Sequence, residues 1–291
     1  MYKYIFQPYT SKSKTTCPQC NYKNSLVGYV DTETSELLPI EYGKCDREEK
    51  CGYHYNPYEN PPSKSSGVKI TIPKEKDFYN VLPYRYVEAS LKNRYKDIFS
   101  LYLISLYGNK AISVLDDYLI GVSNFFNGQS TIFWQIDVND DVRGGKIFKY
   151  ESDGKRKKHP YPHITWVHSF LENDFELKQC FFGEHLLAKY KNKEVRVVES
   201  EKTALIMACE SNDYVWIAST QLQGLADDKL KVVEKRKTLF IPDKGKAYDV
   251  WAEKIKMKKN KLWKTPNFLE NKDLEDGEDI ADYILKNKFG K

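Results

Sequence analysis

No stretch of this 291-residue chain approaches the ~18–20 consecutive apolar residues that a membrane-spanning helix needs, which excludes a helical membrane protein. The opening Met1-Tyr2-Lys3-Tyr4 lacks a basic segment followed by an apolar core, so no secretory leader is expected and a cytoplasmic, soluble protein is. A Gly-x4-Gly-Lys-Ser/Thr phosphate loop is missing, which excludes a fused helicase motor within the chain. Internal repeats and low-complexity tracts are missing too. Cysteine is scarce, with six in all, and the net charge is a modest +5. What remains, at 41% hydrophobic composition, is enough for one sizeable core and a small additional module.

Four of the six cysteines stand close to the amino end, as Cys17-Pro-Gln-Cys20 and Cys45-x5-Cys51-Gly-Tyr-His54. Two thiol pairs on tight turns, separated by a strand-like stretch from Leu26 to Tyr42, have the layout of a zinc ribbon, in which a hairpin brings both turns to one tetrahedral Zn²⁺. Cys17, Cys20 and Cys45 are expected ligands, and either Cys51 or His54 supplies the fourth. Two disulfides or buried free thiols are the alternative, but nothing points to an oxidising compartment. Cys180 and Cys209 then read as buried hydrophobes.

Charge is unevenly spread. Residues 254–264 hold six lysines and no acid, and residues 143–158 are also enriched in Lys and Arg. Such runs are either solvated faces or surfaces for a polyanion, so Lys256, Lys258, Lys259 and Lys261 are candidate nucleic-acid contacts. The Pro/Ser-rich segment from Asn56 to Gly67 reads as a joint. Helical spacing follows from Pro83 through Leu91, Ile98, Leu101 and Ile104, with a stop at Gly108-Asn109 and a second helix near 110–118. Thr131–Asp137 and Lys146–Tyr150 alternate as strands, with residues 139–145 expected as their connection. Arg143 and Lys146 flank a glycine pair that either lets backbone approach a phosphate or forms an ordinary hairpin turn. Glu184-His185 reads as a catalytic dyad or, more simply, as a satisfied polar pair.

The last hundred residues change rhythm. Short apolar strands at 195–198, 214–218 and 238–242 alternate with helices at 201–210, 247–258 and 278–286, which implies a parallel sheet covered on both faces. Glu199 and Asp243 each follow a strand, where open parallel sheets carry their sites. Two carboxylates gathered there can hold Mg²⁺ or Mn²⁺ and support phosphoryl chemistry, or Glu199 can act as a general acid/base. Alternatively both acids cap the helices that follow. Lys202, one turn on, is placed either to meet a phosphate or to pair with an acidic neighbour.

Val197-Val198-Glu199-Ser200-Glu201-Lys202-Thr203-Ala204 resembles the glutamate motif of Toprim domains, found in bacterial and phage primases, topoisomerases and related nucleases. Phe240-Ile241-Pro242-Asp243 resembles the strand entering their Asp-x-Asp motif, and Asp279-Ile280-Ala281-Asp282 their closing acidic segment. More widely, Cys45-Asp46-Arg47-Glu48, Cys51-Gly52-Tyr53-His54, Arg143-Gly144-Gly145-Lys146, Trp166-Val167-His168-Ser169 and Phe182-Gly183-Glu184-His185 resemble a zinc-ribbon, Toprim-like family of Bacteroidetes phages and mobile elements whose function is not known. The resemblance implies an α/β and α+β chain with a zinc ribbon over residues 1–57, a linker over 58–82, a primase-like middle domain over 83–190 and a Toprim-like parallel-sheet domain over 191–291. It also implies Glu199, Asp243 and Lys202 as catalytic residues, with Mg²⁺ or Mn²⁺ between the first two. One departure stands out: Gly245 occupies the place of the second Asp, leaving Asp249 a turn away and Asp279 or Asp282 to compensate.

The function these features imply is primase-like binding of single-stranded DNA or other nucleic acid, with nucleotidyl transfer, alongside replication or mobilisation proteins. The rivals are a degenerate DNA-binding adaptor on the same scaffold and a Toprim-type nuclease.

Overall fold

Tyr4–Phe6 (β1) and Leu26–Asp31 (β2) pair antiparallel, with Tyr4 opposite Asp31. Glu36–Leu37 (β3) and Gly43–Cys45 (β4) both pair with β2, and His54–Tyr55 (β5) closes the sheet on β4. The computed structural model describes residues 3–7, 13–47, 50–63, 66–70, 79–171 and 175–290. Within these the chain divides into two compact units, Met1–Asp77 and Phe78–Lys291. Glu48 of the cysteine-flanking motif, Lys64 and Ser65 of the joint, and residues 71–78 lie outside the described residues. Part of the segment read as a linker belongs to the first unit's sheet edge: Leu37 N–H donates to Val68 O and Ile70 N–H to Ser35 O, both at 2.9 Å.

The second unit opens with three helices, Arg85–Leu91 (α1), Ile98–Tyr107 (α2) and Asn109–Asp117 (α3). Asp97 caps α2 by accepting from Ser100 N–H at 3.0 Å. Gly108, at φ +57°, turns the chain directly from α2 into α3, a backbone conformation that favours glycine. An antiparallel sheet follows, Gly121–Ser123 (β6), Ser130–Ile136 (β7), Val142–Phe148 (β8) and Ile164–Trp166 (β9), paired in sequence order. Every residue of β7 and β8 is buried, because successive side chains enter different apolar clusters. Phe133 joins the main core, while Ile132, Trp134 and Ile136 meet Leu82 and Val87 on the other face.

This corrects the expected connection at residues 139–145. The turn spans Asp137–Asp141, with Asp137 accepting from Asn139 N–H and Asp141 N–H, and Arg143-Gly144-Gly145 are strand. The glycines serve packing: a Cβ on Gly145 would stand 2.8 Å from Trp134 Cε3 and 3.0 Å from Val167 Cγ2.

After a short helix, Leu186–Lys189 (α4), the chain builds Val195–Val198 (β10), Glu201–Glu210 (α5), Val215–Ala218 (β11), Asp227–Leu230 (α6), Thr238–Phe240 (β12), Lys246–Lys258 (α7), Trp263–Lys264 (β13) and Ile280–Phe289 (α8). The four strands form a parallel sheet in the order β11-β10-β12-β13. The fold is therefore mixed, α+β followed by parallel α/β, and one apolar core runs from Phe99 through Phe133 and Val197 to Leu285. Strand order reverses around β10, and open parallel sheets form a crevice at such a point, beyond the carboxyl ends of their strands.

Gly145→Val is expected to destabilise the protein by about 1–3 kcal/mol through overpacking against Trp134. A lower urea midpoint with unchanged m would show it, and an unchanged midpoint would contradict the packing role.

Candidate metal centres

In the first unit, four sulfurs gather. Cys17 and Cys20 flank a turn closed by Asn21 N–H to Cys17 O at 2.9 Å, Cys45 ends β4, and Cys51 follows a turn closed by its own N–H to Arg47 O at 2.7 Å. Their Sγ atoms all lie within 4.8 Å of one another. Cys17 and Cys51 are 3.7 Å apart, and Cys20 and Cys45 3.9 Å. A tetrahedron of Zn–S bonds near 2.3 Å has edges of about 3.8 Å, so this donor set fits zinc. The Tyr22 N–H holds the Cys20 thiol down to about 7, toward the thiolate a metal requires. His54 is engaged elsewhere, its Nε2 at 2.7 Å from Tyr29 Oη and its ring stacked on Tyr29.

The second unit carries the carboxylates. β10 and β12 are neighbours, with Val197 opposite Phe240, so Glu199 and Asp243 follow adjacent strands at one sheet edge. Four consecutive residues after β10 then do different work. Glu199 is anchored by its backbone, whose O accepts from Thr220 N–H at 2.8 Å. Ser200 caps α5 by accepting from Thr203 N–H at 3.1 Å. Glu201 turns inward to Lys146 at 3.2 Å, and Lys202 faces a cavity of about 520 Å³ that Asp243, Asp279 and Asp282 also line. The helix caps are thus Ser200 and Gly245, not the two acids.

Glu199 Oε1 and Asp243 Oδ1 are both buried with no hydrogen-bond partner among the described residues. Burial, with the Asp279 charge added, pushes Glu199 up to about 7. Burial and then the charges of Glu199, Asp279 and Asp282 push Asp243 up to about 9. Two orphaned, mutually repelling carboxylates of this kind fit a divalent cation with oxygen ligands. No third side-chain ligand stands as close as in the sulfur cluster: among the described residues, only the four cysteines bring three or more ligand atoms within 4.8 Å of one another. A cation here would retain water or phosphate ligands.

The closing acids are occupied. Asp279 Oδ1 accepts from Ala281 and Asp282 N–H at 2.7 and 3.0 Å, Asp279 Oδ2 accepts from Thr203 Oγ1, and Asp282 completes the capping box on Asp279 N–H. Gly245 is held by geometry. Its φ is +83°, a Cβ would stand 3.0 Å from Asp276 Cγ, and its N–H donates to Glu270 at 3.1 Å. Asp249 is exposed on α7 and does not line the cavity.

The remaining predicted contacts scatter. Lys146 is buried, donating to Thr220 O at 2.6 Å besides pairing with Glu201. Arg143 is buried over the Tyr79 ring at 3.4 Å, near Asp137, and lines a separate cavity of about 410 Å³. Lys256, Lys259 and Lys261 are exposed around the end of α7, Lys258 pairs with Asp227 at 2.5 Å, and none lines the carboxylate cavity. Glu184 and His185 each meet backbone: Glu184 accepts from Phe181 N–H, and His185 Nε2 meets Asp117 O, while His185 Nδ1 is buried with no partner among the described residues. The cations that do wall the cavity, beside Lys202, are Lys155, Arg156, Lys157 and Lys158. Their signal was the basic run at 143–158, which carries no indication of which of its members face the acids.

The family described as a domain of unknown function (DUF6371) matches residues 97–244. The chain belongs to this family. A zinc beta-ribbon finger family matches residues 2–65, and with the four-sulfur cluster it makes the N-terminal unit a zinc ribbon with structural Zn²⁺. No curated protein matches the chain. Among solved structures, the primase fragment of the bacteriophage T7 primase-helicase protein is similar at 12% identity and TM-score 0.45, covering 97% of this chain and 96% of that one. The E. coli primase catalytic core is similar at 12% identity and TM-score 0.46, covering 69% and 73%. The Aquifex aeolicus primase, with its zinc-binding and RNA polymerase domains, is similar at 12% identity and TM-score 0.42, covering 98% and 77%. Likenesses this loose carry no argument about chemistry.

Protein purified without chelator is expected to carry about one zinc, which Cys51→Ala loses and His54→Ala keeps; chelation should unfold the first unit. Elemental analysis of the two variants decides it, and equal zinc in both would refute the cysteine assignment.

A carboxyl group whose folded pKa lies above its unfolded value contributes stability below the unfolded value and loses it as pH rises through the folded one. Asp243, at 3.8 unfolded and about 9 folded, should therefore weaken the metal-free protein progressively between those values. In chelator, Asp243→Asn should melt above wild type at pH 8 by at least about 1 kcal/mol, roughly 2–4 °C, with a smaller gap at pH 5. A gap independent of pH would contradict the burial of that charge.

Proposed function

We propose that the chain is a primase-like nucleic-acid protein of a phage or mobile element, in which Glu199 and Asp243 hold one Mg²⁺ or Mn²⁺ at a Toprim-type site. The observation that supports this most is the pair of buried, unpartnered oxygens, Glu199 Oε1 and Asp243 Oδ1, of which Asp243 lines a cavity walled by five cationic side chains. Held by Glu199 and Asp243, such a cation would supply Lewis-acid polarisation of a phosphoryl oxygen and would lower the charge repelling an incoming hydroxyl. Lys202, Lys155, Lys157 and Lys158 present ammonium groups to phosphate oxygens, and Arg156 presents a fork of N–H donors. In the alternative role, off the metal, Glu199, which burial pushes up to about 7, is suited to take the proton of the attacking hydroxyl as the bond to pyrophosphate breaks. Single-stranded nucleic acid and nucleotides are the partners this chemistry requires. The four-part division, with a primase-like middle domain and a Toprim-like domain from residue 191, belongs to the same proposal.

Lys146 and Arg143 enter this scheme as structural cations, since each is buried against an acid of its own. The lysines around the end of α7 supply an additional surface for phosphate away from the cavity. A non-catalytic DNA-binding or adaptor role has its own support in Gly245, where the second carboxylate of the motif is missing and the backbone leaves no room for one.

Manganese titration followed by electron paramagnetic resonance is expected to give one weak site, with affinity lowered by about tenfold or more in Glu199→Gln and Asp243→Asn. Nucleotide incorporation on primed and unprimed single-stranded templates should be slow, faster with Mn²⁺ than Mg²⁺, and lost in Glu199→Gln while nucleic-acid binding survives. Equal inertness of wild type and variant, with binding intact in both, would decide for the adaptor.

A further inference from the structure

Beyond the cavity runs a strip that neither the acids nor the zinc explains. Residues 154–171 contain no Asp or Glu, and within them the cations Lys155 to Lys158 give way to Tyr161, His163, Trp166 and Phe170. Two of its cations are paired with acids just before it, Lys155 with Asp153 at 3.6 Å and Lys157 with Glu151 at 3.4 Å. The cationic part lines the carboxylate cavity. Backbone hydrogen bonds carry it onward: Lys157 N–H donates to Lys149 O, Lys149 N–H to His163 O, and His163 N–H to Lys157 O. Lys149 Nζ in turn donates to Gly128 O, in the turn that carries Phe125 and Phe126.

The rings there form a connected but open set. Tyr161 stacks on His163 with centroids 4.5 Å apart and planes 14° from parallel, His163 meets Phe126 at 5.2 Å, and Phe125 contacts Phe126 at 4.6 Å and Phe170 at 4.7 Å. Phe126 belongs to the apolar cluster beneath, but Phe125, Tyr161 and Phe170 are 40%, 56% and 50% exposed. Large rings left this open beside a row of cations are costly as mere surface, and every nucleobase has a π face to cover them.

We propose that this strip is the track by which single-stranded nucleic acid reaches the cavity, its phosphates over Lys155, Lys157 and Lys158 and its bases stacked on Tyr161 and on the Phe125–Phe170 pair. The inference rests on the reading of the cavity as a phosphate-handling site. Charge complementarity and the unbroken path from cavity to rings select this occupant, and a duplex, whose base faces are already stacked, does not fit it.

The test measures anisotropy of labelled oligothymidylate and oligouridylate on the zinc-loaded full chain across a salt series. Tyr161→Ala and the double variant Phe125→Leu, Phe170→Leu should each weaken binding about tenfold with the salt slope unchanged. The triple variant Lys155→Gln, Lys157→Gln, Lys158→Gln should flatten the slope by roughly 0.7 for each phosphate no longer neutralised. Tyr161→Trp keeps a stacking ring, so it should bind like wild type with its added fluorescence quenched by the oligonucleotide; this guards against a ring variant that merely misfolds. Ring variants within about twofold of wild type, added fluorescence that the oligonucleotide leaves unquenched in Tyr161→Trp, or equal competition by duplex of the same sequence would overturn the proposal. Manganese titration of the same variants separates it from the catalytic reading: ring-dependent binding without a manganese site sinks only the chemistry, and a manganese site without ring dependence sinks only the track.

Discussion

Lys146, in the middle of β8, reaches Glu201 at 3.2 Å on the first turn of α5 and donates to Thr220 O just past β11. Both charges are buried, and removing either from water costs several kcal/mol. Paired, they fasten the antiparallel sheet to the parallel one at the edge where Glu199 and Asp243 emerge. Truncating one partner would strand the other, a loss of about 3–5 kcal/mol in comparable interiors. With Glu201 committed to this bond, Ser200 caps α5 and Lys202 faces the cavity.

The carboxylate centre is built as a deliberate shortage of hydrogen bonds. Asp279 and Asp282 satisfy one another and Thr203 in a capping box, yet their charge still presses on Asp243. Glu199 and Asp243 have no such relief, and the opposing cations stand on a separate element, at residues 155–158. Asp243, Asp279 and Asp282 thus line one cavity together with those cations. At Gly245 the left-handed backbone and the closeness of Asp276 leave no room for a further carboxylate.

Much of this was legible in the chain. The parallel strands at 195–198, 215–218 and 238–240 and the helices between them followed from short apolar runs punctuated by polar residues, since strands buried on both faces must be uniformly apolar. Cys17, Cys20 and Cys45 followed from spacing, because thiolates on two tight turns can share one metal, while Cys51 rather than His54 was settled by the fold, which turns His54 to Tyr29. Residues 139–145 misled because Gly-Gly is the common mark of a turn, whereas here the glycines make room for Trp134 across the strand pair. The strand Trp263–Lys264 gave no local sign, being two residues held by β12 alone.

By itself the sequence determined most element types, three of the zinc-binding thiols and the two acids at strand ends, since these depend on local periodicity and on the chemistry of neighbouring residues. Tertiary structure alone decided which cations face those acids. Lys146 and Arg143 went inward to partners 55 residues later and 6 residues earlier in the chain, at Glu201 and Asp137, while Lys155 to Lys158 came to the rim. Charge has no period to read: a lysine in a strand and a lysine in a loop look alike until the packing of distant elements fixes which acid each can reach.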